Sequence, residues 1–488
     1  MSEPIKIHPK NPKLFEYGGE PVMLCTPTEH YGAVMNRPFD YCRYLEDMRD
    51  KSINFTRLFL LFRELQAPTN PYSTCKPESP DYITPFPRTG PGIAADGEPK
   101  YDLTQWNPEF FCRLHEFLSI AEEYGVIVEV VLFSNTYSPQ VWALNPMYHY
   151  NNFSDLDEIV PSWYTTLRDK KRLAIQEGYV DKVIHETNKY SNIVYEICNE
   201  PGGDTKEGPE PYVTTDDTNA WLSHMIARIR SLEKNMPNKH LIFGQEAFTW
   251  ADITVYTDKT FDEMDYDVAN IHPIDKTKIN GRVHDLGVFM AGWLRLQNYR
   301  DFCLEAYARC KPYNMDEDNT ASCYKSERGW IVHRKRAWTT LFCGGHYDYI
   351  DFSVLPYLEA GTPASNKGIR SYMSYIFRYL KNIDLVSAKP AAQLVTAAPC
   401  CTVPSVLGDG TACHVYLADA TEYGEPAYGR TIAGGELTLA LASGKYDVDF
   451  YDPRTGTFSL VCQLGLDDKT SIRLPDFVDD IVVRVRKV

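Results

Sequence analysis

The chain has 488 residues, too many for one ordinary core, so a barrel of roughly 250–400 residues with a smaller module is the natural division. Its net charge of −16 argues against a nucleic-acid or anionic-membrane partner, since neither is drawn to an acidic surface. The thirteen cysteines include an adjacent pair, Cys400 and Cys401, but no CxxC, which suits reduced thiols better than a disulfide framework or a zinc site.

In chain order, strand-like apolar runs alternate with helical periodicity up to about residue 385. Pro21 to Cys25 (PVMLC) precedes a predicted helix over Phe39 to Lys51, and Asn54 to Phe62 (NFTRLFLLF) is strand-like. A Pro-rich loop, Glu64 to Lys100, leads to a predicted helix over Phe110 to Tyr124 and a buried strand, Val126 to Phe133. Helices over Lys171 to Lys189 and Ala220 to Lys234 frame the strand Asn192 to Cys198, and His240 to Phe243 and Val268 to Ile271 follow. Phe302 to Cys310 and Trp330 to Leu341 read as helices before strands at Pro312 to Met315 and Tyr347 to Phe352. Eight strands, each followed by a helix or a long loop, predict a (β/α)8 TIM barrel over residues 1–388. No glycine-rich phosphate loop follows a strand, which disfavours a doubly wound dinucleotide fold.

After about Ala388 the pattern changes to short alternating strands: HVYLAD, GELTLAL, GKYDVDFYDPRTG, SIRLP and DIVVRVRKV. Residues 389–488 therefore read as a small all-β C-terminal sandwich domain, with a turn at Asp452 to Gly456. Packing against the barrel is the preferred role for it, ahead of carbohydrate binding. The opening residues, MSEPIKIHPK, contain no apolar signal region, and no run reaches membrane-spanning length, so a cytoplasmic protein is expected.

Barrel active sites lie at the C-terminal ends of the strands. Strand four ends in Asn199-Glu200-Pro201, and a polar pair after a buried strand is poorly explained by packing. A carboxyl at such a mouth is partly desolvated, which suits a general acid. Strand seven ends in KPYNMDEDN, where Asp316, Glu317 and Asp318 compete and alternation does not choose. Glu29, His30, Asn135, Tyr137, Gln245 and Glu246 also follow strands and are candidate sugar ligands or rim hydrogen-bonders. Trp142 and Trp250 either stack on a sugar or pack their loops.

With Asn-Glu-Pro closing strand four and a second Glu over a hundred residues later, the chain resembles the clan A retaining glycoside hydrolases. TEHYGAVMN, HLIFGQEAF, NIHP and DYIDFSV extend the resemblance to cellulase-like barrels with a short C-terminal sandwich. The resemblance implies Glu200 as acid/base, Glu317 as nucleophile, Asn199 as partner of the sugar 2-hydroxyl and Arg57 as the residue that steadies the nucleophile. It implies hydrolysis of β-linked glycosides or oligosaccharides by double displacement, with no cofactor and no metal. Two departures touch substrate choice. Strand eight carries Tyr347, Tyr349 and Asp351 where many relatives have Trp, and strand six offers His272 where Tyr is usual. Tyr347, Asp351 and His272 thus join the sugar-binding candidates. A metal-dependent barrel hydrolase built on His30 and His272 and a non-catalytic sugar-binding protein are the alternatives.

Overall fold

The computed structural model describes residues 3–28, 32–61, 81–204, 206, 208, 210–288, 291–318, 327–466 and 470–488, with the side chains of 460–466 and 470 excepted. Eight strands form one parallel sheet: β1 (Cys25–Thr28), β2 (Phe55–Phe59), β3 (Ile127–Ser134), β4 (Ile193–Asn199), β5 (Ile242–Gly244), β6 (Val268–Ile271), β7 (Tyr313–Met315) and β8 (His346–Ile350). Ladders run from β2 through β3 to β8 and on to β1. Side chains close the remaining seam. The Arg57 amide donates to Thr28 Oγ1 (3.0 Å), and the Asn54 side chain donates to the Met23 carbonyl (2.8 Å). The result is a nearly closed (β/α)8 barrel whose last seam is bridged by side chains and not by a strand ladder.

Helices α1 (Tyr41–Lys51), α2 (Pro108–Glu123), α3 (Lys170–Thr187), α4 (Thr215–Glu233), α5 (Asp258–Asp262), α6 (Leu296–Tyr307), α7 (Glu327–Phe342) and α8 (Ile369–Leu380) follow the strands in turn. Local chemistry sets their starts. Asp40, Asn107 and Asp169 cap α1, α2 and α3 with side-chain oxygens, and Thr214 with Asp217 makes a capping box on α4.

The predicted first strand is corrected by the structure. Pro21 and Val22 belong to a three-stranded antiparallel sheet (Lys6–Ile7, Phe15–Tyr17, Glu20–Val22), and the barrel strand begins at Cys25. Apolarity misleads here because the small sheet plugs the barrel floor. Phe15 lies against Phe243 (ring centroids 5.6 Å apart) in a cluster with Leu24, Phe55, Ile127, Val194 and Val268. The true strand, CTPT, looks polar because of what it faces.

What it faces is a polar interior. Two residues beyond Leu24, Phe55, Ile127, Val194, Phe243 and Val268 stand Thr26, Arg57, Glu129, Glu196, Gln245 and Asn270, every one buried. Strand alternation brings both sets to the same face, so a charged layer rests on an apolar plug, directly below the mouth.

The C-terminal residues form a six-stranded antiparallel sheet, ordered Lys389–Pro390, Thr402–Gly408, Ala412–Asp419, Asp480–Lys487, Gly444–Asp452, Thr457–Leu466. A three-stranded sheet (Val395–Ala397, Glu436–Leu439, Thr470–Arg473) shares its core through Leu437, Leu439 and Ile472 against Val415, Val448 and Val483. The other face docks on the barrel. Trp338 of α7 stacks on Tyr416 (5.5 Å), and the Arg334 guanidinium donates to both oxygens of Asp480 (2.9 and 2.6 Å). Among the described residues ten cysteines are unpaired, and no helix is long and apolar enough to cross a membrane.

Candidate active site

Three residues at the barrel mouth leave their strands in the left-handed region: Tyr137 after β3 (φ 51°), Glu200 after β4 (φ 47°) and Glu317 after β7 (φ 49°). Non-glycine residues rarely adopt this conformation, and where it is enforced it tends to mark a site. Around it, Asn135 Nδ2 donates to the Glu200 carbonyl (2.9 Å), and the Glu317 amide donates to Asp348 Oδ1 (2.6 Å). Both turns are held by neighbouring strands.

The two carboxylates converge on one imidazole. His272 Nδ1 is 3.1 Å from Glu200 Oε1 and 3.5 Å from Glu317 Oε2, while Nε2 is 3.0 Å from Asp316 Oδ2. One oxygen of Glu200, one of Glu317 and a nitrogen of His272 all lie within 4.8 Å of one another. Burial opposes a charge on His272, but the bonds to Asp316 and Glu200 outweigh it and hold the imidazole well above its ordinary value.

Arg57 lies beneath. Its Nη1 is 2.9 Å from Glu317 Oε1, and its Nη2 donates to Glu196 and to Asn199 Oδ1 (3.0 Å) and is 3.4 Å from Asp316. Its Nε is 3.5 Å from Glu129 Oε2. Burial works against this charge too, but Asp316, Glu196, Glu317 and Glu129 more than offset it. The carboxyls compete for one guanidinium, and burial lifts several of them. Glu129 and Asp348 lie well above the usual carboxylate range, each by burial first and then by the Asp316 charge.

Glu196 is pushed up to about 7 by burial against the pull of Arg57. The folded chain therefore holds a proton that an unfolded Glu releases at about 4.3, so this group stabilises below that value and the gain is lost as pH rises towards about 7. Glu196→Gln, which keeps the neutral shape, should become more stable relative to wild type across that window. Urea midpoints at pH 4.5 and 7.5 read the difference, and a constant offset between the two proteins would contradict the assignment.

The geometry separates the three acids that follow β7. Asp316 turns inward to His272 and Arg57. Asp318 turns outward to α7, accepting from Arg336 Nη1 (2.7 Å) and the Tyr347 hydroxyl (2.9 Å). Only Glu317 faces the mouth beside Glu200.

A family model for a domain of unknown function (DUF6298) matches residues 76–206. An endoglucanase of Clostridium saccharobutylicum is 29% identical over 125 residues, which are 26% of this chain and 21% of that protein. The match thus spans about a fifth of that relative's length. Among solved structures, a glycoside hydrolase is 11% identical with a TM-score of 0.62, aligned over 99% of this chain and 97% of its own. A glycoside hydrolase family 5 protein from Bacteroides vulgatus gives 12% and 0.60 over 99% and 93%, and the endo-β-1,4-mannanase of Thermotoga petrophila 14% and 0.51 over 95% and 98%. The chain has the fold of these glycoside hydrolases.

On that fold the remaining candidates fall into two groups. Asn199 and Tyr137 are at the site: Asn199 Nδ2 donates to the Tyr137 hydroxyl (2.8 Å). Tyr137 is 39% exposed as a residue, yet its hydroxyl is bonded to Asn199 and Ser134, and burial with the Glu200 and Glu317 charges pushes it well above the ordinary phenol value. Asn135 sits at the rim and holds the Glu200 turn, as described. Gln245 is buried in the polar layer, its amide making no hydrogen bond to a described group.

Four candidates are placed elsewhere. Tyr347 and Tyr349 alternate outward from β8, toward His333 of α7 (hydroxyl to Nδ1 3.0 Å; rings 4.2 Å apart), so β8 sends Asp348 inward and no aromatic. Asp351 is turned back on its own loop, accepting from Ser353 (2.6 Å) with Arg370 at 3.6 Å. Glu246 caps α5, accepting from the Lys259 and Thr260 amides (2.8 and 3.3 Å). Trp142 is 3% exposed between Tyr148 and Tyr164, with no face left for a sugar. Glu29 and His30 lie outside the described residues, as does most of the first half of the Glu64 to Lys100 loop.

Of the two tryptophan candidates, Trp250 is the one that reaches open space, in a cleft next to the carboxylates that neither Glu200 nor Glu317 itself lines. It is half-buried, edge-on to Tyr137 (6.0 Å), and lines that cleft, of about 490 Å³, with Asn135, Tyr137 and Gly202. Gly202 makes this possible, because a Cβ there would come within 1.8 Å of the indole nitrogen.

Proposed function

We propose that this protein is a retaining glycoside hydrolase acting on β-linked glycosides or oligosaccharides, with Glu200 as acid/base and Glu317 as nucleophile. One observation carries the reading: the two carboxylates meet at one His272 nitrogen, 3.1 Å from Glu200 and 3.5 Å from Glu317, with their nearest oxygens no more than 4.8 Å apart, a close approach that favours a retaining site. Retaining enzymes hold their carboxyls about 5–5.5 Å apart, whereas inverting enzymes need about 6.5–9.5 Å to admit a water between them.

The chemistry follows from charge. Glu317, steadied by Arg57, attacks the anomeric carbon while the Glu200 carboxyl, bonded to the charged His272, delivers the proton that passes to the departing oxygen. In the second step Glu200 takes a proton from water, which displaces Glu317 and restores the original anomer. His272 bonds to Glu200 and faces Glu317 and Asp316, so a bell-shaped pH–rate profile belongs to the cluster and not to single residues.

Aryl β-glucosides and β-mannosides lead the substrate screen, because similar proteins are named an endoglucanase and an endo-β-1,4-mannanase. With an active substrate, proton NMR of the first product should show the β anomer, with mutarotation following. Activity should be unchanged by chelators. An α anomer formed first would exclude double displacement. Loss of activity with chelator and recovery with zinc or manganese would favour metal-dependent hydrolysis at the His272 carboxylate cluster.

A further inference from the structure

The adjacent cysteines of the C-terminal domain play no part in that chemistry. Both are exposed, and Cys400 Sγ is 3.4 Å from Cys401 Sγ. The backbone around them is pinned: Cys401 is in the left-handed region (φ 65°), its carbonyl accepts from the Ala420 amide (2.8 Å), and the Thr402 amide donates to Pro399 (3.2 Å). Arg430 reaches over from the loop before Thr431, bonded to Asp419 Oδ1 (3.0 Å) and facing the Cys401 sulfur.

We propose that Cys400 and Cys401 form a vicinal dithiol site that small oxidised thiols convert to a disulfide, with Cys401 as attacking sulfur and Cys400 as resolving sulfur. An exposed thiol beside a guanidinium, with a second thiol in reach, is the arrangement that reacts fastest with disulfides. The Arg430 guanidinium on the Cys401 side lowers Cys401, while the neighbouring Cys401 raises Cys400, so the roles divide. The Cys401 thiolate attacks one sulfur of glutathione disulfide, whose S–S bond breaks and releases one glutathione thiolate. Cys400 then loses its proton to solvent and attacks Cys401 Sγ, expelling the second glutathione. The cysteines give up two electrons, and glutathione disulfide takes them.

The test is full-length protein incubated with glutathione disulfide, followed by peptide mass mapping. Wild type should lose two hydrogens, located by fragmentation at Cys400 and Cys401, and keep no glutathione there. Cys400→Ser should instead retain a glutathionyl group on Cys401. Arg430→Ala in that background should slow its formation several-fold at neutral pH and much less at pH 9.5. Faster labelling of Cys112 or Cys310, the other exposed cysteines among those described, would overturn the proposal. So would a glutathionyl group that persists on wild-type Cys401, or one that forms at Cys400 when Cys401→Ser is treated.

Discussion

Glu317→Gln should lower kcat by at least about 10⁴-fold on any substrate while leaving the protein folded, since removing a covalent nucleophile costs more than any single supporting contact. The amide keeps the shape, and Arg57 still finds Glu196 and Asp316. Glu200→Gln should behave differently. Its loss should be about 10²–10⁴-fold for alkyl or sugar leaving groups, and far smaller for dinitrophenyl glycosides, which depart without a proton. Added azide separates the roles further. It should replace the missing nucleophile of Glu317→Ala to give an inverted glycosyl azide, and intercept the glycosyl-enzyme of Glu200→Ala to give a retained one. Equal sensitivity of the two variants to leaving-group acidity would contradict the division of labour.

Arg57→Met should cost roughly 3–5 kcal/mol of folding stability, as removal of one partner from a buried ionic cluster does. The side chains beneath the mouth explain why. Arg57 and Glu196 are completely buried, as are Asp316 and Glu129, so the substitution leaves several carboxyls around an apolar chain. The deficit should grow with pH. At low pH Glu129 and Glu196, both raised by burial, are protonated in folded and unfolded chains alike and need no counter-charge. As pH rises past the ordinary carboxylate value, the unfolded chain ionises freely and the folded one cannot. Urea melts at pH 5 and 8 read the slope. A deficit below about 1 kcal/mol at both values would mean that Arg57 is not the organising cation.

Much of the barrel is written plainly in the sequence, because parallel strands buried on both faces read as apolar runs, as in VIVEVVLF and NIVYEIC. Asn199-Glu200-Pro201 stands out for the opposite reason, a polar pair where packing needs none. The interior was harder to read. Glu129 and Glu196 stand in the middle of those same apolar strands, and an isolated acid in such a run signals a charged interior. The first strand was displaced for the same reason, since CTPT faces that interior and resembles a loop.

Strand eight shows a second limit. Tyr347, Tyr349 and Asp351 share one parity and Asp348 the other, and a one-residue choice of register decides which set reaches the site. His346 gives the choice away only in three dimensions, where it lies tilted against Phe15 of the plug (4.5 Å) and so sets Asp348 inward above it. Glu246 and Trp142 illustrate position without direction. Both follow strand ends, yet Glu246 is drawn away by the open amides of α5 and Trp142 by its aromatic neighbours. Residue type and strand position together do not determine which way a loop side chain turns.

The central claim is a covalent glycosyl-enzyme on Glu317, and trapping it is the most direct measurement. A 2-deoxy-2-fluoro β-glycoside with a good leaving group slows both steps and rescues only the first, so the intermediate should accumulate. Mass mapping should place one sugar on the peptide that contains Tyr313 to Asp318, with fragmentation assigning it to Glu317, and Glu317→Ala should abolish the label. A sugar on Asp316, Asp318 or Glu246 would contradict the assignment of the nucleophile. A wild-type enzyme that turns substrate over but releases the inverted anomer first, and never accumulates the adduct, would contradict the retaining mechanism itself.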